Sequence, residues 1–136
     1  MAKKFFFIFL LVLGLTVFGP VFAQTENKLE INFFYSETCP HCKAEQKFLD
    51  TMQEKYPQIM INRYLSSGAE NRKLMIDLLV EHEAEKYTGL VPLTFVGEEF
   101  IMGFDNADGV GKEIEASIQK QLSNTEPKPI LSHDFL

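Results

Sequence analysis

The chain predicts a three-layer α/β domain, a mixed four-stranded sheet with flanking helices in the order β-α-β-α-β-β-α. Three observations carry that reading. Short runs rich in Ile, Phe and Tyr alternate with longer amphipathic stretches, the pattern of strands joined by crossover helices. Two short apolar runs late in the chain are separated only by Gly97-Glu98-Glu99, which suits an antiparallel hairpin. The 136 residues hold one core of ordinary size and are too few for two.

The elements follow in order. Met1-Ala2-Lys3-Lys4 is a short basic start, Phe5 to Phe18 is mostly apolar, and Val21-Phe22-Ala23 places small residues at the −3 and −1 positions before Gln24. Residues 1–23 therefore read as a secretory signal peptide cleaved after Ala23, with retention as a membrane anchor the alternative. The folded domain is expected over 24–123 and a tail or linker over 124–136. Lys28 to Ser36 reads as a buried strand, and Ser36-Glu37-Thr38 as the loop after it. Pro40 to Tyr56 reads as a helix with Ala44, Phe48, Leu49 and Met52 on its apolar face, stopped before Pro57. Ile59 to Leu65 is a second strand, turned by Ser66-Ser67-Gly68. Glu70 to Tyr87 is expected as one helix carrying Leu74, Met75, Leu78, Leu79 and His82, capped by Gly89. Leu93 to Val96 and Phe100 to Gly103 form the hairpin. A last helix is expected from Asp105 or Asn106, with Val110, Ile114, Ile118 and Leu122 recurring every four residues.

Cys39-Pro40-His41-Cys42 contains both cysteines of the chain and lies where the first strand gives way to the first helix. As a staple, a disulfide closing so short a loop is poor, contributing about 2 kcal/mol on the loop-closure model. At a helix N-terminus the pair has a chemical use instead. Free N–H groups and the positive end of the helix dipole stabilise a thiolate, the species that attacks disulfides. Cys39 reads as the N-cap and nucleophile, Pro40 suits the first helical position, and Cys42 reads as the deeper resolving thiol. His41 is expected to tune the Cys39 pKa through a positive charge or a hydrogen bond.

Charge narrows the partners. Loss of Lys3 and Lys4 with the leader takes the formal charge from −6 to −8, so nucleic acid is not an expected partner. Export places the cysteines in an oxidising, periplasmic or otherwise extracytoplasmic compartment.

From Lys28 to Leu122 the chain resembles the thioredoxin superfamily, on the Cys-Pro-His-Cys at the first strand-to-helix junction and on Val91-Pro92 before the third strand. Leu93-Thr94-Phe95-Val96-Gly97 and Met102-Gly103-Phe104-Asp105 are similar to the hairpin of glutaredoxin-like members, and the Pro-His dipeptide to that of exported DsbA-like oxidoreductases. The resemblance implies a thioredoxin-like fold and a thiol-disulfide oxidoreductase that uses no cofactor or metal. It implies a redox-active Cys39-Cys42 disulfide, a cis Pro92 facing it, and Val91 backbone groups that pair with a substrate strand. Protein thiols and disulfides are the implied partners of a monomer, which either oxidises them or relays electrons from a membrane-embedded thiol transporter. Many relatives carry a buried acid six positions before the first cysteine. Phe33 stands there, so the proton acceptor for Cys42 is unassigned; Glu37 and Glu45 read as solvated surface carboxylates. Met102-Gly103 replaces the usual glycine pair of glutathione sites, while Asp105 could meet an amine, so glutathione use is open.

The competing reading is a metal-binding or metallochaperone module on Cys39 and Cys42. It would need further ligands from His41, His82 and His133, which read respectively as a helix residue, a packed residue and part of the tail.

Overall fold

The structure is a computed structural model that describes residues 28–125. The expected leader over 1–23 with its cleavage site lies outside the described residues, as do Pro127, Pro129 and His133 of the expected tail. The elements are β1 (Leu29–Tyr35), α1 (Pro40–Lys55), β2 (Ile59–Leu65), α2 (Ala69–Glu81), a 3₁₀ turn (Glu85–Tyr87), β3 (Leu93–Val96), β4 (Glu99–Met102) and α3 (Val110–Thr125). The sheet order is β2-β1-β3-β4. β1 pairs parallel with β2, Leu29 opposite Ile59, and antiparallel with β3, Phe33 opposite Thr94. This is the three-layer, thioredoxin-like arrangement the sequence predicts.

Strand alternation divides the core into two halves. On one face Ile31, Phe33, Ile59 and Val96 pack with Cys42, Leu49 and Met52 of α1 and Ile114 and Ile118 of α3. On the other face Phe34, Leu93 and Phe95 pack with Met75 and Leu79 of α2. Phe34 stacks on Tyr64 at 5.0 Å and meets the edge of Phe95 at 5.8 Å, so the α2 face is largely an aromatic contact. His82 joins it half-buried, its Nδ1 donating to the Leu78 carbonyl at 2.8 Å and its ring edge-on to Phe95.

The structure corrects four local expectations. On α1 the buried stripe is Cys42, Glu45, Leu49 and Met52, whereas Ala44 is exposed and Phe48 half-buried. The hairpin turns on two residues, Gly97 and Glu98, because Val96 pairs with Glu99; β4 therefore starts one residue earlier than expected. Gly97 takes the positive φ this turn needs at its first central position.

α2 stops at Glu81 instead of running to Tyr87, and Gly89 does not cap it. Glu83 adopts φ +54°, its N–H bonds the Val80 carbonyl at 3.1 Å, and the Ala84 N–H bonds the Leu79 carbonyl at 2.8 Å. These two bonds make a Schellman ending, with Ala84 packed in the same apolar cluster as Leu79. Glycine usually fills the left-handed position. Replacing Glu83 with Gly is expected to raise stability by about 0.5–1 kcal/mol, because relief of the Cβ clash exceeds the added freedom of the unfolded chain. A urea melt whose midpoint does not rise would contradict it.

α3 begins at Val110, later than expected, because Asp105 and Asn106 cap a turn before it. The Asp105 carboxylate accepts from the N–H of Asn106 and Val110, and the Asn106 side-chain oxygen accepts from those of Asp108 and Gly109. Among the described residues no helix is long and apolar enough to cross a membrane.

Candidate active site

β1 ends at Tyr35, and the Ser36-Glu37-Thr38 loop delivers the chain to the start of α1, where the Cys39 N–H bonds the Ser36 carbonyl at 3.3 Å. Cys39 is the N-cap in extended conformation, and its sulfur accepts the Cys42 N–H at 3.4 Å. Pro40 has no N–H to offer. The first amides able to face the sulfur are therefore those of His41 and Cys42, and both do.

The two sulfurs are placed differently. Cys39 is half-buried, while Cys42 is 0% exposed within the α1 side of the core; both are free cysteines. Partial burial works against ionisation of Cys39, but the Cys42 thiol and the two N–H groups outweigh it and hold the pKa below the ordinary thiol value, against the nearby Glu45 charge. Cys42 is pushed up to about 12, first by burial and then by its hydrogen bond with Cys39 and the charges of Cys39 and Glu45, with the Ser36 backbone opposing. One sulfur is prepared to ionise and the other to keep its proton.

The His41 side chain is exposed, and its Nδ1 lies 2.7 Å from the Phe104 carbonyl. A carbonyl only accepts, so Nδ1 carries the proton and donates. The imidazole thereby ties the first turn of α1 to the segment after β4. The His41 group that bears on the Cys39 sulfur is the backbone N–H. Phe104, 6% exposed, packs against Phe48 at 5.6 Å and completes this tether. Nothing local in sequence marks the contact, since its ends are 63 residues apart.

The Val91–Pro92 bond is cis. Pro92 is buried, and its carbonyl accepts the Gly103 N–H at 2.9 Å. Val91 packs at the margin of both core clusters, and Cys39 packs against the one on the α1 side. The entrance to β3 and the segment around Phe104 thus converge on the end of α1 that carries the cysteines.

Glu45 was expected at the surface with Glu37. Glu37 is exposed, but Glu45 is only 1% exposed. It follows Cys42 by three residues, so both side chains lie on the inward face of α1. Thr94 of β3, fully buried, donates its hydroxyl to Oε1, whereas Oε2 is buried with no hydrogen-bond partner. Burial pushes the carboxyl up to about 7, partly offset by Thr94. Phe33 pairs with Thr94 across β1 and β3, so their side chains share a face of the sheet. An acid on the helix thus meets the face on which Phe33 stands in the strand. The signal available in the sequence was the spacing 42, 45, 49, 52.

Among the described residues no three His, Cys, Asp or Glu side chains are grouped to hold a metal ion. Of the expected extra donors, the His41 Nδ1 is taken by Phe104, and His82 lies against Phe95 and Phe100.

The chain matches no family model and no curated protein. Its structural neighbours include a glutaredoxin and two thioredoxins. A glutaredoxin from Archaeoglobus fulgidus is 18% identical, with 67% of this chain and 87% of that one covered and a TM-score of 0.47. A thioredoxin from Fasciola hepatica is 10% identical, with 69% and 81% covered and a TM-score of 0.44. Thioredoxin f2 from Chlamydomonas reinhardtii is 17% identical, with 82% and 92% covered and a TM-score of 0.49.

Proposed function

We propose that this chain is an exported thiol-disulfide oxidoreductase that exchanges a Cys39-Cys42 dithiol for the disulfides and thiols of other proteins. The observation that carries the reading is the asymmetry of the pair. The accessible sulfur sits at a helix N-terminus under two backbone N–H groups, and its partner is fully buried three residues further on.

In the reducing direction the Cys39 thiolate attacks one sulfur of a substrate disulfide. A bond forms from Cys39 to that sulfur, the substrate S–S bond breaks, and the departing thiolate takes a proton. The Cys42 thiol then loses its proton and attacks the Cys39 sulfur. The Cys39-Cys42 disulfide forms, the second substrate thiol leaves, and two electrons have passed to the substrate. Oxidation of a substrate dithiol runs the same steps in reverse. Val91, at the entrance to β3, offers backbone groups on which an extended substrate segment would align. The Lys3-Lys4 start, the apolar run to Phe18 and the small residues before Gln24 support export.

The pH dependence of alkylation tests the assignment. With Cys39 held below the ordinary thiol value, iodoacetamide labelling of the reduced protein is expected to reach half its limiting rate below about pH 8.5, the free-thiol pKa. A midpoint at or above that value removes the role given to the helix N-terminus. The reduction potential against glutathione then distinguishes an oxidant from a reductant on one scale.

A further inference from the structure

We propose that Glu45 is the proton relay of Cys42, an inference that rests on the thiol-exchange reading above. As Cys42 attacks the mixed disulfide on Cys39, the thiol proton passes to the Glu45 carboxylate, leaving a thiolate and a carboxylic acid. The new S–S bond then forms, the substrate thiolate departs, and Glu45 releases its proton to that thiolate or to solvent. In the opposite direction a substrate thiolate attacks Cys39, the Cys39-Cys42 bond breaks, and Glu45 protonates the Cys42 thiolate as it leaves.

Position comes first. Cys42 is 0% exposed and Glu45 1% exposed, so solvent bases have little access to the thiol whose proton must go. The two residues are one helical turn apart on the same inward face, and the Glu45 charge is felt at both sulfurs. Thr94 engages one carboxyl oxygen and leaves the other buried without a partner, an arrangement that costs free energy when it serves only packing. The titratable groups that feel the Glu45 charge are Cys39, the N-cap of α1, and Cys42 within α1, while β1 and β3 present Phe33 and Thr94 on that face, neither of them charged.

The protonation behaviour agrees with this geometry. Burial brings Glu45 to about 7, where a carboxyl both accepts and releases a proton near neutrality. Cys42 is held at about 12 first by burial and then in part by Cys39. Capping Cys39 in a mixed disulfide removes that thiolate, and the Cys42 proton becomes easier to take at the step that requires it.

The aromatic disulfide dithionitrobenzoate separates the two claims, because each sulfur that reacts releases one coloured thiolate. Mixed with reduced protein, it is expected to give a first phase that scales with reagent concentration, the attack of Cys39, and a second that does not, the attack of Cys42. The wild-type second phase should rise with pH through an inflection near 7. In Glu45→Gln the second phase is expected to slow about 10²-fold at neutral pH and lose that inflection. The first phase should hold or quicken, since the charge that opposes Cys39 ionisation is gone. A Glu45→Gln second phase that is unchanged, or slowed with the wild-type pH profile, overturns the relay and leaves thiol exchange standing. Absence of the first phase in wild type overturns thiol exchange itself. Thr94→Val gives an independent arm, since loss of the hydroxyl that lowers the Glu45 pKa should move the inflection to higher pH. An inflection that stays in place in that variant overturns the relay even where Glu45→Gln fails to fold.

Discussion

Replacing Glu45 with leucine is expected to stabilise the reduced protein by about 3 kcal/mol at pH 8 and to leave it nearly unchanged at pH 4. The sign follows from the direction of the shift. Burial raises the folded-state pKa from 4.5 to about 7, so the folded state binds the proton more tightly than the unfolded chain does. The associated stability is fully present below pH 4.5 and is lost as pH rises through 7. At pH 8 the wild type has forgone roughly 3 kcal/mol, at 1.4 kcal/mol per pKa unit. Leucine removes that penalty and adds apolar burial, but it strands the buried Thr94 hydroxyl, which costs about 1–3 kcal/mol at either pH. Of these effects only the penalty depends on pH. For a domain of this size the gain at pH 8 corresponds to a rise in Tm on the order of 10 °C. Thermal or urea melts of both proteins in reductant, at pH 4 and pH 8, check it. A Leu-for-Glu difference that is the same at both pH values would show that the carboxyl does not titrate in this range. The prediction also bears on function, since a buried acid that weakens the fold at neutral pH is a candidate for chemistry rather than for packing.

How far the molecule could be read from its residues depended on the range of the interactions involved. Strand and helix positions followed from local periodicity. Ile59 to Leu65 was placed to the residue, and Val110, Ile114, Ile118 and Leu122 line the inner side of α3 as their spacing requires. The cysteine pair at the N-terminus of α1 was equally legible, because Pro40 and the preceding apolar strand mark the junction. The misreadings have a common origin in polar groups whose partners lie elsewhere. Glu45 reads as a surface residue because glutamates are rarely buried unpaired, although its helical phase puts it with Cys42, Leu49 and Met52. Glu83 takes the conformation normally left to glycine, so no glycine in the sequence marks the end of α2. The sequence expects one of Asp105 and Asn106 to start the last helix, since both are residue types found at helix starts. That they cap one turn jointly, and delay α3 to Val110, depends on backbone geometry that a one-dimensional pattern does not contain. The His41 contact with Phe104 is longer in range still, joining the start of α1 to the far side of the hairpin.

Substituting Cys42 by serine is expected to turn the mixed disulfide from a passing intermediate into the product that accumulates. Cys39 keeps its helix N-terminus, both backbone N–H groups and, from the serine hydroxyl, a side-chain donor in place of the Cys42 thiol, so its attack survives. The resolving step does not, because no second sulfur is present. An intramolecular nucleophile held against its target acts at an effective concentration of up to about 10⁵ M or more, so even millimolar external thiol replaces it poorly. The lifetime of the adduct with a peptide disulfide should therefore lengthen by at least about 10³-fold, a conservative figure that allows for the small ionised fraction of Cys42 in wild type. Intact-protein mass spectrometry after brief reaction and acid quench would show one peptide bound to Cys42→Ser. Wild type would show the internal disulfide and no adduct. The reciprocal variant separates roles from mere reactivity. In Cys39→Ser the remaining thiol is fully buried, and burial alone keeps its pKa high, so it should gain no peptide on the same timescale. Labelling of Cys39→Ser as fast as wild type would make the inner thiol the attacking sulfur, and release of the adduct from Cys42→Ser at the wild-type rate would show that Cys42 does not resolve it.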